Sequence, residues 1–172
     1  PDLFTTAKGL SGGLPQSALV GRRELMDIYA PNTMTSTHSG SPVASAGTAA
    51  NIKFLKEHNM CQEALRKGKI MEEKLKALWK QFPERISYVS GIGMAWAVTF
   101  AEADTHAIHP EFALEVTKKC NENGLTFFAA VGAGITMKLT PPLTIPDDAL
   151  IEGLEAYATA IAEADAIMPA YK

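Results

Sequence analysis

The stretch Thr5–Arg22, TTAKGLSGGLPQSALVGR, sets one lysine, Lys8, beside a loop with glycines at 9, 12 and 13. Two short β-prone runs, LFTTA and SALVG, flank that loop, and RRELMDIY follows as a brief helical pattern. A glycine-rich loop can cradle phosphate, but the triphosphate-binding pattern places its lysine after the glycines and directly before Ser or Thr, whereas Lys8 precedes them. The dinucleotide fingerprint fails as well, because GLSGG lacks its glycine spacing and no helix of the right length opens from the loop. By pattern alone, two readings of Lys8 stay open. It is a solvated lysine at a strand end, or it is an amine nucleophile that forms a Schiff base with a carbonyl compound. Glycines beside such an amine let backbone and ligand approach closely.

Working outward, the polar loop PNTMTSTHSGSP ends in Ser41-Pro42, a helix start in which serine can cap and proline suits the first turn. A helix is expected through VASAGTAANIKFLKEHN. Next, Ala64, Gly68, Met71, Leu75, Leu78 and Phe82 alternate steps of four and three, which keeps one face apolar along a long amphipathic helix stopped by Pro83. Beyond Pro83 the period changes. ISYVSGIGMAWAVTFAE reads as two strands broken by Gly91 and Gly93, and HPEFALEVTKKCNENG as a helix with a glycine stop at Gly124. LTFFAAV and ITMKLT read as two further strands joined through GAG as a hairpin. In the closing helix, Asp147 and Asp148 suit the positive end and Leu150, Leu154, Tyr157 and Ile161 recur on one face.

Composition narrows the function classes. With 172 residues, 47% of them hydrophobic, the chain can bury a sizeable core. A net charge of -3, with both signs spread along the chain, argues against nucleic-acid and membrane-surface partners. Cys61 and Cys120 have neither metal-ligand nor CxxC spacing, so a reducing, cytoplasmic compartment is expected and a metal site is not. A chain opening on Pro1 suggests processing or excision from a longer polypeptide.

At Lys8 and its surroundings the sequence resembles a known family. PDLFTTAKGLSGGLPQSALVGR is similar to the segment around the cofactor lysine of class III aminotransferases, the pyridoxal-phosphate enzymes. STHSGSPVASAGTAA resembles their phosphate-binding segment and the helix after it, VSGIGMAWAVTF their glycine-bearing strand pair, and ITMKLTPPLTIPDDALIEGLEAYATAI their closing strand, turn and helix. The resemblance implies an α/β chain, a fragment of the type I pyridoxal-phosphate-dependent transferase fold. Residues 1–41 would be the end of the large cofactor-binding domain, 42–82 linker helices and 83–172 a C-terminal α+β domain. It implies that Lys8 holds pyridoxal 5'-phosphate as a Schiff base, is released by the substrate amine, and shuttles a proton. Neutrality at the moment of attack would come from desolvation and nearby positive charge. It implies that Thr37 binds the cofactor phosphate, in the family across a homodimer interface. The residues agree, since the hydroxyls of Thr37 and Ser39, Gly40 and the helix start at Pro42 together suit an anion. The substrates implied are small amines or amino acids and keto acids.

Two departures qualify what the resemblance implies. Many members place arginine four residues before the proline of Pro-Leu-Thr to grip the substrate carboxylate, and here Lys138 stands there. Strand alternation sends Thr136, Lys138 and Thr140 to one side and Ile135, Met137 and Leu139 to the other, so Lys138 can face a polar cavity or simply be solvated. Lysine stays cationic but loses the planar bidentate grip, which would suit an ω-amino substrate, an amino alcohol or an amine. The family's ring-stacking aromatic and its pyridine-protonating aspartate fall outside this sequence, so the isolated chain is expected to be inactive and its strands before Tyr29 to be poorly ordered or paired with another chain. A non-catalytic, dimerising or degenerate domain and a decarboxylase or racemase on the same scaffold are the alternatives. His38 could line the site or be a surface group. His58, and the loose pair His106 and His109, read as surface residues, and Trp79 and Trp96 as core or interface aromatics.

Overall fold

The computed structural model describes residues 1–34, 36–102, 107–108, 110–128 and 134–169. Its contacts divide the chain into two compact units, Pro1–Met60 and Cys61–Lys172.

In the first unit, strands β1 (Leu3–Thr6) and β2 (Ala18–Gly21) pair antiparallel, with Leu3 opposite Gly21 and Thr6 opposite Ala18. The pairing corrects the expectation that these strands lack partners within the chain: residues 7–17 loop back far enough for each to serve as the other's edge. Their side chains are less well covered, because Leu3, Phe4, Leu19 and Val20 all remain exposed. A short helix, α1 (Arg23–Met26), follows, and then α2 (Pro42–Glu57) begins with proline in its first turn. Ser41 precedes that proline, yet its side chain makes no capping hydrogen bond, so proline's fixed φ is what starts this helix. On α2, Ala44, Gly47 and Asn51 fall at steps of three and four and therefore on one face. Ala44 is buried.

The second unit is built on burial. Helix α3 (Met60–Gln81) starts at the boundary and buries Met71, Leu75 and Leu78, the stripe expected from its spacing. Gly68 on that stripe meets the turn between β3 (Ile86–Ile92) and β4 (Ala95–Phe100), where a Cβ would stand 2.5 Å from the Gly93 carbonyl oxygen. The antiparallel sheet has the order β3-β4-β5, with β5 spanning Thr136–Leu139. Trp96 lies opposite Leu139 and Val98 opposite Met137, and all four are buried with α4 (Pro110–Glu122) and α5 (Asp147–Ile167). Leu150, Leu154, Tyr157 and Ile161 of α5 are buried, as its period requires. Trp96 is a core residue, and Trp79 packs edge-on against Tyr88 at 6.0 Å.

The expected strand LTFFAAV is not found where it is described: Leu125–Phe128 is irregular, and residues 129–131 lie outside the described residues. Tertiary packing takes the place of pairing. The Leu125 amide donates to the Cys120 carbonyl at the end of α4, and the Phe127 ring stacks on Tyr157 at 5.5 Å. Residues 132 and 133 of the GAG connection, and both His106 and His109, also lie outside the described residues. Cys120 is buried in this core, and desolvation pushes its thiol up to about 12, so it is an inert core side chain.

Candidate active site

Pairing of Thr6 with Ala18 closes residues 7–17 into a loop, and Lys8 opens it. After the extended Ala7, Lys8–Leu10 forms a single 3-10 turn, with the Leu10 amide donating to the Ala7 carbonyl at 3.1 Å. Lys8 has φ +51°, the left-handed region that costs a non-glycine residue roughly 1 kcal/mol. Such an outlier points toward function when its surroundings enforce it. Here they do. The Asn51 carboxamide on α2 donates to the Gly9 carbonyl at 2.8 Å and to the Leu10 carbonyl at 3.0 Å. Gly12, at φ +69°, passes so near that a Cβ would stand 3.0 Å from Asn51 Oδ1. Ser11 is buried and its hydroxyl donates to the Leu14 carbonyl.

The Lys8 side chain is exposed and makes no hydrogen bond or ion pair among the described residues. Beside it, a Cβ on Gly9 would meet nothing within 4 Å. A free amine next to open backbone fits covalent attachment of an aldehyde cofactor. Thr37, His38 and Ser39 are exposed in a turn just before α2, where the Ser36 and Ser39 hydroxyls lie 2.9 Å apart and Gly40 takes φ +69°. Exposed hydroxyls and a glycine at a helix start fit a phosphate. Lys8, Thr37 and Ser39 belong to the first unit, and Lys138 to the second.

On β5, Met137 and Leu139 are buried while Lys138 is exposed, as is Thr140 just beyond the strand, so the alternation here reads as expected from sequence. Lys138 lies opposite Ala97, and beside that pair the Thr99 and Thr136 hydroxyls meet at 3.2 Å, which makes this sheet face polar. Lys138 also lines a largely apolar groove of about 330 Å³ with Leu125, Phe127, Pro141, Ile145 and Gly153. The Pro141–Ile145 wall is held by Lys67, a buried lysine whose ammonium donates to the carbonyls of Leu143 at 3.0 Å and Ile145 at 2.6 Å. Where α5 begins, Arg66 donates to both carboxylate oxygens of Asp147 at 2.7 Å, and these bonds hold the Asp147 carboxyl below the usual carboxylate range. Sequence reasoning named neither Asn51 nor Lys67. Nothing local marks them, because each acts on a turn far away in the chain.

Among the described residues no group of His, Cys, Asp or Glu is arranged to hold a metal ion, and no helix is long and apolar enough to cross a membrane.

Comparison with known proteins agrees with the order of these elements. The family profile of class III aminotransferases matches residues 1–161. The chain is 32% identical to the 5-aminovalerate aminotransferase DavT of Pseudomonas putida over 163 residues, 95% of this chain and 38% of that protein. It is 34% identical to the leucine/methionine racemase of Thermococcus litoralis over 166 residues, 96% of this chain and 37% of the relative. It superimposes on the solved ornithine aminotransferase of Plasmodium yoelii with a TM-score of 0.83 and 28% identity, covering 96% of this chain and 42% of that one. The chain thus spans well under half the length of the curated relatives it matches. Matched along its length, from the turn of Lys8 to helix α5, the chain belongs to the class III aminotransferase family.

Proposed function

We propose that this chain is the lysine-bearing, C-terminal part of a transaminase that moves an amino group from an amine or amino acid to a keto acid. Class III aminotransferases are pyridoxal-phosphate enzymes, and the match over residues 1–161 extends that dependence to the polypeptide of which these residues form part. The observation that carries the reading is Lys8: an exposed, unpaired amine in a left-handed turn, at the position the family resemblance assigns to the cofactor lysine. Pyridoxal phosphate, when bound, supplies an electron sink for the carbanion formed at the substrate carbon. The chain's own residues do the rest. Lys8 Nζ would hold the cofactor between turnovers. Freed when the substrate amine takes its place, it would accept the proton from the amine-bearing carbon and pass it to the cofactor side, not back to that carbon, as amino transfer requires. The Thr37 and Ser39 hydroxyls would hold the phosphate, Thr37 across the interface of a homodimer as the resemblance implies. Lys138 pairs with the substrate carboxylate as a point charge and not as a fork, which favours a donor whose carboxylate is distant from its reacting amine.

The domain boundaries follow the same reading: 1–41 closes the large domain, 42–82 links, and 83–172 is the small domain. The segment alone is inactive, because the groups that stack on and protonate the cofactor ring are assigned by the resemblance to residues outside these 172. A racemase is the second reading, favoured by the 34% identity to the Thermococcus litoralis enzyme. Lys8 alone does not select which bond at the carbon breaks.

The test uses the full polypeptide loaded with pyridoxal phosphate, reduced with borohydride and mapped by mass spectrometry. The adduct is expected on Lys8. Lys8→Ala should remove it, and turnover should fall by roughly 10²–10⁴-fold from lost proton transfer alone. An adduct elsewhere, with turnover intact in Lys8→Ala, would end the reading. Product from 5-aminovalerate and a keto acid separates transamination from inversion of leucine.

A further inference from the structure

We propose that Asn51 is a positioning residue for Lys8, holding the turn from which the reactive amine projects. The inference rests on the assignment of Lys8 as the cofactor lysine. An amide NH2 carries two N–H donors, and both are used here, on consecutive carbonyls, Gly9 at 2.8 Å and Leu10 at 3.0 Å. Two consecutive carbonyls reach one nitrogen only because the chain reverses tightly after Lys8, whose φ of +51° starts the reversal. Rotation of Lys8 into an extended conformation would swing both carbonyls away from α2. The carboxamide therefore favours one backbone state of the lysine.

The rest of the loop is fitted to the same helix. Gly12, at φ +69°, passes where a Cβ would crowd Asn51 Oδ1 at 3.0 Å, and Gly47, one helical turn before Asn51, leaves room for Leu14, whose Cδ1 would lie 2.7 Å from a Cβ. The lysine forms and breaks a covalent bond in every cycle, so its backbone must stay put while its side chain moves. Asn51 lies 42 residues from Gly9 and makes these bonds from a regular helix, which supplies the fixed base.

The experiment compares the full polypeptide with Asn51→Ala, Asn51→Asp and Asn51→Gln. In the cofactor-free proteins, hydrogen exchange is followed over the peptide containing residues 7–14. Pyridoxal phosphate is then added, and the rate of borohydride-trapped adduct on Lys8 is measured. Asn51→Ala should speed exchange in this peptide about tenfold, leave α2 unchanged and slow trapping about tenfold. Asn51→Asp, which turns a carboxylate toward two carbonyls, should exceed both effects, and Asn51→Gln should recover part of each. If the aspartate variant does not fold, Asn51→Ala decides, since alanine is the better helix former. Wild-type trapping rates in Asn51→Ala would overturn the inference, and so would slowed trapping without faster exchange at 7–14. A wild-type protein that traps nothing on Lys8 overturns the assignment of the lysine itself, and this proposal falls with it.

Discussion

Two turns, one in each unit, are pinned in the same way, each by one nitrogen from a helix donating to two carbonyls, yet their surroundings differ. Asn51 holds Gly9 and Leu10 in a unit whose strand residues Leu3, Phe4, Leu19 and Val20 are all between 44% and 52% exposed. Lys67 holds Leu143 and Ile145 beside a core in which Met71, Leu75 and Tyr157 are fully buried. Burial of one such side chain contributes about 1.5–3 kcal/mol. The second turn is therefore fixed mainly by packing around it, and the first mainly by directional hydrogen bonds and glycine geometry. Each is open to a different kind of damage.

The helix glycines expose this contrast most sharply. Gly68→Ala would drive a methyl against backbone, 2.5 Å from the Gly93 oxygen and 2.6 Å from its Cα, in a turn already at φ +56°. It should cost about 3 kcal/mol, the upper end for overpacking, read as a lower urea midpoint. Lys67→Met keeps the buried stem but leaves two carbonyls without a donor. A loss of about 2 kcal/mol is expected there, against about 1.4 kcal/mol for Asn51→Ala, the equivalent of a tenfold change, because its acceptors lie nearer to solvent. Equal losses would break the comparison. Gly47→Ala should be nearly neutral, within about 0.5 kcal/mol, because its Cβ would meet only the mobile end of Leu14 while alanine raises helix propensity.

Smallest of all is the Arg66–Asp147 pair, whose partners are both well exposed. Arg66 lowers the folded-state value of Asp147 below its ordinary 3.8, so the pair stabilises the second unit above that pH and loses its effect as pH falls through the lowered value. Asp147→Asn should lower the thermal midpoint slightly at pH 7, and the difference should vanish at acid pH. A difference that persists in strong acid would mean that the aspartate acts through something other than its charge.

Much of the fold is legible because the signals are local. The three-and-four spacing of Met71, Leu75 and Leu78, and of Leu150, Leu154, Tyr157 and Ile161, requires a buried helix face wherever those helices pack. Alternation on β5 sends Lys138 outward by the same logic. The reading fails where a local pattern has two outlets. LTFFAAV has strand-like residues, but Phe127 meets Tyr157 of α5 and the described part of the run forms no strand. Ser41 has the right residue type and place for a cap, yet its hydroxyl makes no such bond.

By itself, then, the sequence determined the apolar faces of the helices, the alternation on β5 and the family, since each is written in neighbouring residues or their spacing. Only the tertiary structure decided that Lys8 adopts a left-handed turn, that Asn51 reaches back 42 residues to hold it, and that Lys67 reaches 76 and 78 residues forward to the wall beside Lys138. A hydrogen bond between distant segments depends on where packing brings two backbones together. That meeting is a property of the folded chain as a whole, and it leaves no periodic mark on either segment.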